Sequence, residues 1–513
     1  LIKQEHILKI FKGGIVSNKK VIIVGAGPGG LAAGMLLASK GYKVKIYEKE
    51  AITGGRNGFI TLGNYTFDIG PTFFMMKNIL EYIFTASGKK LDDYCQVKPL
   101  EPMYRLRYKG EKDLMASSNP EIMKDRIEKF SPGSAKGYEK YLKNEKKKYE
   151  TLIPCLAIPY SSILDFMSWQ FIRSLPYLDA HRSLYDVLSR YFKDPDVITS
   201  FTFQAKYIGM SPWRAPGTFS IISYIEHGGG IYHITGGLNK LSQGMAKAFQ
   251  EDGGEILLSN PVKEILIENK KAVGVLLENG MIDKADYTII NADFAHAMTN
   301  LVKEKHLKKY TKEKLERKKY SCSTYMLYLG VNKEYKDMVH HNIIFADNYK
   351  KNVTEITETL ELSKDFSFYV QNATVTDETL APKGKSTLYV LVPVPNNGSA
   401  IDWEKEKNSF RDKVIAAMET SGGFSDVHKH IEEELIITPA DWENKHSVYK
   451  GATFNLAHNI GQMLILRPHN EFGEFQNCYL VGGGTHPGSG LPTIYESGRI
   501  SAELIMKRDG INQ

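Results

Sequence analysis

The chain has 513 residues, 42% of them apolar and 24% charged, and 66 lysines and arginines against 59 acids leave it at +7. It is long enough for two or more domains and a full core. So small a basic excess, with no recognised binding motif beside it, excludes nucleic acid as the expected partner.

In chain order, the opening segment LIKQEHILKIFKGGIVSNKK mixes lysine into its apolar residues. It lacks the continuous apolar centre of a signal peptide, and residues 1–16 are read as an N-terminal extension or a cloning remnant. VIIVGAGPGGLAAGMLLAS (21–39) is uncharged and near bilayer-spanning length. Its glycines and proline cluster after four apolar residues, however, which suits a strand, a tight turn and a helix. No transmembrane span is expected.

VIIV (21–24) reads as a buried parallel strand. Gly25, Gly27 and Gly30 follow in G-x-G-x-x-G spacing, then the helical LAAGMLLASK, the stop at Gly41, and a second strand, VKIYEK, closing near Glu48. In such a unit Gly25 permits the turn, Gly27 lets the backbone approach a pyrophosphate, and Gly30 lets the helix pack closely. Glu48 stands where an acid accepts hydrogen bonds from the adenosine ribose. Together these specify a dinucleotide site, without deciding between NAD and FAD. The second glycine pair and Arg56, in GGR (54–56), extend the loop along the pyrophosphate and add a fixed positive charge. Asp68, before Gly70-Pro71, is read as a turn-fixing residue rather than a catalytic acid.

Further along, KNEKKKYE (143–150) and KEKHLKKYTKEKLERKKY (303–320) read as solvated helix faces, with attraction to an anionic membrane surface as the sharper alternative. Cys95, Cys155, Cys322 and Cys478 show no paired or metal-ligand spacing, so reduced thiols and a cytosolic setting are expected, with no metal site. Near the end, CYLVGG reads as a buried strand, GGTHPGSGLP as a loop and TIYESGRISAELIMKR as a helix, with Pro492 and Thr493 at its start.

Three stretches resemble the bacterial phytoene desaturase-type carotenoid desaturases: residues 21–58, DIGPTFF (68–74) and YLVGGGTHPGSGLPTIYESGRISAE (479–503). Residues 211–265 and TIINADFAHA (288–297) agree, so the resemblance runs through nearly the whole chain in order. It implies an α/β fold: a Rossmann-like FAD-binding domain with an inserted α+β substrate domain and a helical, membrane-facing part. The FAD domain would be discontinuous (17–75, 230–300, 451–513), and the inserts (76–229, 301–450) would hold substrate and meet the membrane. It further implies that the late glycine motif closes around the flavin end of the same FAD, so the two glycine loops flank one site.

The cofactor contacts implied are Gly25, Ala26, Gly27, Pro28, Gly29 and Gly30; Glu48 and Lys49; Gly54, Gly55 and Arg56; Gly70, Pro71 and Thr72; Val262, through its backbone; Asn291; Gly484 and Thr485; and Pro492, Thr493 and Ile494. Many members of the wider flavin superfamily carry an acid where Gly484 and Thr485 stand; the carotenoid desaturases tend to lack it. His486 is a weak candidate base beside the flavin, and a loop-organising role is the preferred reading. The resemblance implies FAD-dependent desaturation of an acyclic carotenoid, with hydride passing from an allylic carbon to flavin N5. The PTIYESGRISAE ending suggests the hydroxycarotenoid 3,4-desaturase branch. Cis–trans isomerisation of a carotene, or binding of a prenyl lipid on the same fold, are the alternatives. Electrons would leave to oxygen or a membrane quinone.

The apolar, aromatic stretches 72–84 and 152–178 read as core or tunnel lining. Pro154, Pro159 and Pro176 break the second, which therefore suits a surface-inserted patch. Peripheral attachment to the inner face of the cell membrane is the expected location.

Overall fold

The computed structural model describes residues 17–511, so the reading of residues 1–16 lies outside the described part. Lys20–Val24 is the central strand of a five-stranded, all-parallel sheet. Cys478–Leu480, Tyr287–Ile290, Lys20–Val24, Lys43–Tyr47 and Glu255–Leu257 lie side by side in that order. Val21 and Ile23 face one core and Ile22 and Val24 another. That two-sided burial is why the run is continuously apolar rather than alternating.

The first core is filled by Pro28–Ala38, buried along its whole length, and by Lys77–Ala86, Asn239–Glu251 and Leu491–Arg508. Pro28–Ala38 starts three residues before the expected LAAG run because Pro28 fits the first helical turn, and it ends before Gly41, which takes φ 83°. The other core lies beneath a three-stranded antiparallel sheet, Val262–Glu268, Lys271–Leu277 and Ile282–Lys284.

A seven-stranded sheet forms the second half, in the order Ile431–Ile437, Ser323–Val331, Ser386–Val394, Phe368–Asn372, His341–Ile344, Tyr104–Tyr108, Lys112–Ala116. Its pairs are antiparallel except His341–Ile344 with Tyr104–Tyr108. Tyr325, Leu327 and Leu329 pack under the helix Trp403–Ala417, while Met326, Tyr328 and Tyr389 face the helical insert between residues 120 and 229.

Packing redraws two expected boundaries. The helix Lys77–Ala86, read as the start of the first insert, sends Ile79, Leu80, Ile83 and Phe84 into the dinucleotide-side core. Val302, Leu307, Tyr310 and Leu315, read as the start of the second insert, likewise belong to the core under the three-stranded sheet. The lysine run 143–150 also departs from a purely solvated face. It lies on the helix Ala135–Leu152, where Glu145 and Lys148 are buried. Lys148 Nζ donates to Gly217 O and Ser220 Oγ, both at 2.9 Å, and pairs with Asp179 at 3.2 Å. Among the described residues no helix is long and apolar enough to cross a membrane, and all four cysteines are free.

Candidate cofactor site

The first glycine turn lies at the carboxyl end of Lys20–Val24, in the crevice where open parallel sheets take their ligands. Gly25 N donates to Tyr47 O at 2.8 Å. Glu48, just past the second strand, is buried, and both carboxylate oxygens are engaged: Oε2 accepts from Ala26 N at 2.6 Å and Oε1 from Glu50 N at 2.9 Å. Burial raises its pKa above the usual carboxylate range. Glu48 therefore braces the turn. A Cβ on Gly30 would lie 2.5 Å from Gly25 O and 2.7 Å from Asn291 Nδ2, so the turn closes only with glycine there. Asn291 Nδ2 donates to Gly25 O at 2.8 Å and Gly27 O at 3.3 Å. Its side chain holds the turn from below.

Gly54 N donates to Ala26 O at 2.9 Å, which lays GGR along the first turn. Arg56 Nη1 donates to Thr453 O at 2.6 Å and helps offset the burial that raises the Asp293 carboxyl. Asn260 N donates to Glu48 O and Ser259 N to Glu50 O, both at 2.9 Å, which joins the turn before Val262 to the Glu48 segment. Lys49 turns outward instead, with Nζ 2.8 Å from Ser447 Oγ.

Residues 69–72 are gripped by the other sheet. Tyr328 and Tyr389, directly opposed on neighbouring strands, donate to Ile69 O and Gly70 O, each at 2.6 Å. Tyr369 OH lies 2.9 Å from Thr72 Oγ1. Asp68 is buried and accepts from Asn239 N at 3.1 Å, so it ties this segment to the start of Asn239–Glu251 rather than fixing its own turn as the sequence suggested. These tyrosines are missed by sequence reasoning. Each is one alternating aromatic on a strand, and only the strand pairing brings them together.

The late glycine motif returns beside the first. Leu491–Arg508 begins after Gly490, so Pro492 and Thr493 sit inside its first turn rather than at its cap. It packs on Pro28–Ala38 so tightly that a Cβ on Gly498 would stand 2.4 Å from Gly29 O; Ile494 covers Gly29. Both helices start side by side with no side-chain cap and no acid in the first turn, an arrangement that favours bound anions. Thr493 Oγ1 donates back to Gly490 O at 2.9 Å.

Arg467, unsuspected in the sequence and fully buried, holds this loop through carbonyls. It donates to Gly483 O at 2.6 Å, Thr485 O at 3.1 Å, and Gln462 O and Leu456 O at 3.3 Å. Burial lowers it to about 9, still a cation at neutral pH. His486 is 2% exposed, and neither ring nitrogen has a hydrogen-bond partner, although the backbone of Leu156 and Ile158 lies near. Burial first, and Arg467 second, bring it down to about 3, so it is neutral at physiological pH. Its ring meets Tyr160 edge-on at 5.2 Å, tying the late glycine loop to the apolar insert.

The family profile of the flavin-containing amine oxidoreductases matches residues 28–506. The chain belongs to this family. Within it, the chain falls among the phytoene desaturase-type carotenoid desaturases. It is 49% identical to a Methylomonas sp. 4,4'-diapophytoene desaturase (4,4'-diapolycopene-forming), over 96% of each chain. It is 35% identical to the all-trans-zeta-carotene desaturase of Myxococcus xanthus, over 96% of this chain and 94% of the other. Among solved structures, a Methanosarcina mazei oxidoreductase matches with TM-score 0.61 at 18% identity, over 95% of this chain and all of the other, which is a likeness of fold. The protein is an oxidoreductase whose cofactor is FAD. The residues present fit that cofactor: a glycine turn that a Cβ at Gly30 would fill, a buried acid at its edge, and two uncapped helix starts.

Proposed function

We propose that the protein desaturates an acyclic carotenoid, with the first glycine turn, Glu48 and Gly54–Arg56 holding the adenosine and pyrophosphate of FAD and residues 482–494 closing over its flavin. The observation that carries this reading is the return of Leu491–Arg508 onto Pro28–Ala38, which brings the two glycine loops together, as a single shared cofactor requires. When bound, FAD supplies the two-electron acceptor for hydride. The chain's own contribution is to orient the polyene and exclude water. The core between the seven-stranded sheet and the helical insert, which holds Tyr104, Tyr328, Tyr389 and Phe203, is the apolar, aromatic region against which we place such a substrate.

The substrate is drawn from a bilayer. Ile163, Leu164, Met167, Trp169, Ile172 and Leu175 form a protruding apolar patch, with Ile163 74% and Met167 71% exposed. A patch of this kind suits insertion at a lipid surface, on the inner face of the cell membrane, with oxygen or a quinone taking the electrons.

The test uses FAD-reconstituted protein and liposomes carrying 4,4'-diapophytoene, the substrate named for the 49% relative. Parallel samples carry phytoene or a 1-hydroxylated acyclic carotene, the latter for the 3,4-desaturase branch read from the chain's ending. A red-shifted product lighter by two hydrogens supports the proposal, and the sample that gives it names the subtype. An unchanged mass with an altered cis band means isomerisation and overturns it, as does full FAD occupancy with no turnover. Ile163→Asp with Met167→Asp should reduce liposome flotation without loss of FAD; unchanged flotation would remove the patch from the account.

A further inference from the structure

We propose that Lys206 is the proton acceptor of the desaturation, removing the proton from the carbon next to the one that loses hydride. This rests on the proposed carotenoid chemistry and assigns its second half, in which a proton must leave a water-poor site.

Lys206 lies in the turn Phe203–Ile208. It is partly buried, beneath the aromatic side of the helical insert. No hydrogen bond or ion pair to a described residue engages its amine. Its Nζ lies over the Tyr349 ring, 4.7 Å from the centroid, and the Tyr349 hydroxyl is itself buried without a partner. The surroundings are aromatic: Phe345 lies 5.1 Å from Tyr349 and 5.9 Å from Phe203, centroid to centroid. Among the described residues the Cys322 thiol acts on the amine, and burial pushes that thiol up to about 12 and so keeps it neutral. A lysine anchoring structure would be paired with a carboxylate, as Lys148 is with Asp179. Among the described residues Lys206 has none, and an amine held over an aromatic ring without a carboxylate points to a functional group.

The turn also stands next to the cofactor site. A Cβ on Gly209, which has φ 66°, would lie 2.6 Å from Ser321 Cβ and 3.0 Å from Phe454 Cδ2. The carbonyl of Phe454 accepts from Ser489 Oγ of the late glycine loop, and that of Thr453 accepts from Arg56. Lys206 thus belongs to the layer resting on the segment that joins both flanks of the site. Burial without a counter-ion brings the amine to about 7, so a neutral, proton-accepting fraction exists at physiological pH.

The step balances. One allylic C–H pair leaves as hydride to the bound oxidised flavin. The neighbouring carbon's proton forms a bond to the Nζ lone pair, and the electrons of that broken C–H bond become the new C=C. Lys206 ends as an ammonium and resets by releasing its proton to solvent.

Two measurements test this. In FAD-loaded wild type, anaerobic flavin reduction by carotenoid in liposomes should rise with pH through about 7. Lys206→Met should slow it by about 10²–10⁴-fold and abolish that pH step while keeping FAD absorbance; Lys206→Arg, a permanent cation, should be equally slow. Separately, competitive reductive methylation of the wild type, read residue by residue by mass spectrometry, should give Lys206 a midpoint far below that of surface lysines. Bound carotenoid should protect it. Wild-type rate and pH profile in Lys206→Met overturn the assignment. An ordinary lysine midpoint, or no protection, overturns it too, even where the variant fails to fold. Absence of flavin reduction by any carotenoid in the wild type would instead be a failure of the proposed function, and the labelling midpoint would still decide whether Lys206 can act as a base.

Discussion

Replacing Glu48 by alanine removes the acceptor of two backbone amides, Ala26 N at 2.6 Å and Glu50 N at 2.9 Å, as well as the acceptor offered to ribose. Each buried amide left without a partner costs about 1–3 kcal/mol. That loss falls on the turn whether or not FAD is bound. The missing charged acceptor costs a further ~1.5–3 kcal/mol in binding, which is roughly 10- to 100-fold in Kd. Glu48→Gln keeps the shape but turns an NH2 donor toward one of the two amides, and its remaining neutral acceptor makes hydrogen bonds about half as strong as charge-assisted ones, so it should weaken FAD binding less than alanine does while still destabilising the apoprotein. His486→Ala removes a ring that packs on Tyr160 and should leave Kd within about threefold, well under the ~1.4 kcal/mol of a tenfold change. Equilibrium dialysis of apoprotein against FAD, with a thermal scan of each apoprotein, separates the two costs. A wild-type Kd in Glu48→Ala, or equal losses in Glu48→Ala and His486→Ala, would refute the division of roles.

Two further outcomes follow from the clamps around the cofactor. Arg467→Met should strip four carbonyls of their donor and destabilise the protein by about 3–5 kcal/mol, as breaking buried charged contacts does; a melting curve and FAD retention that match wild type would count against it. Tyr328→Phe and Tyr389→Phe should each cost about 1–3 kcal/mol by orphaning Ile69 O or Gly70 O. A double-mutant cycle on FAD release should show coupling between them, because their rings meet at 5.5 Å, and strict additivity would refute a shared grip.

The nucleotide end of the site was legible because its physics is local. A strand buried on both faces, glycines demanded by close approach, and an acid at the end of the next strand all lie within 21–48. The joining of the two glycine loops was legible only through the family resemblance, since nothing in GGGTHPGSGLP says which strand Cys478–Leu480 will pair with. Arg467 and the three tyrosines were invisible for a related reason. Arg467 serves carbonyls up to 18 residues away, and Tyr328 reaches a backbone 259 residues distant; no spacing rule links such partners. Lys148 was misread because a lysine run looks solvated until the loops carrying Asp179 and Ser220 close over one of its members.

The parallel sheet has its centre at one end of the chain and an edge at the other. A ribosome adding about 5–20 residues per second delivers Lys20–Tyr47 tens of seconds before Cys478 exists to line up beside Tyr287–Ile290. On the proposed arrangement the nascent turn can be shaped throughout that interval, but the flavin is enclosed only once residues 482–494 exist. Flavin capture is then a late event in the protein's life, and a chain cut short anywhere before Leu491 should leave translation colourless.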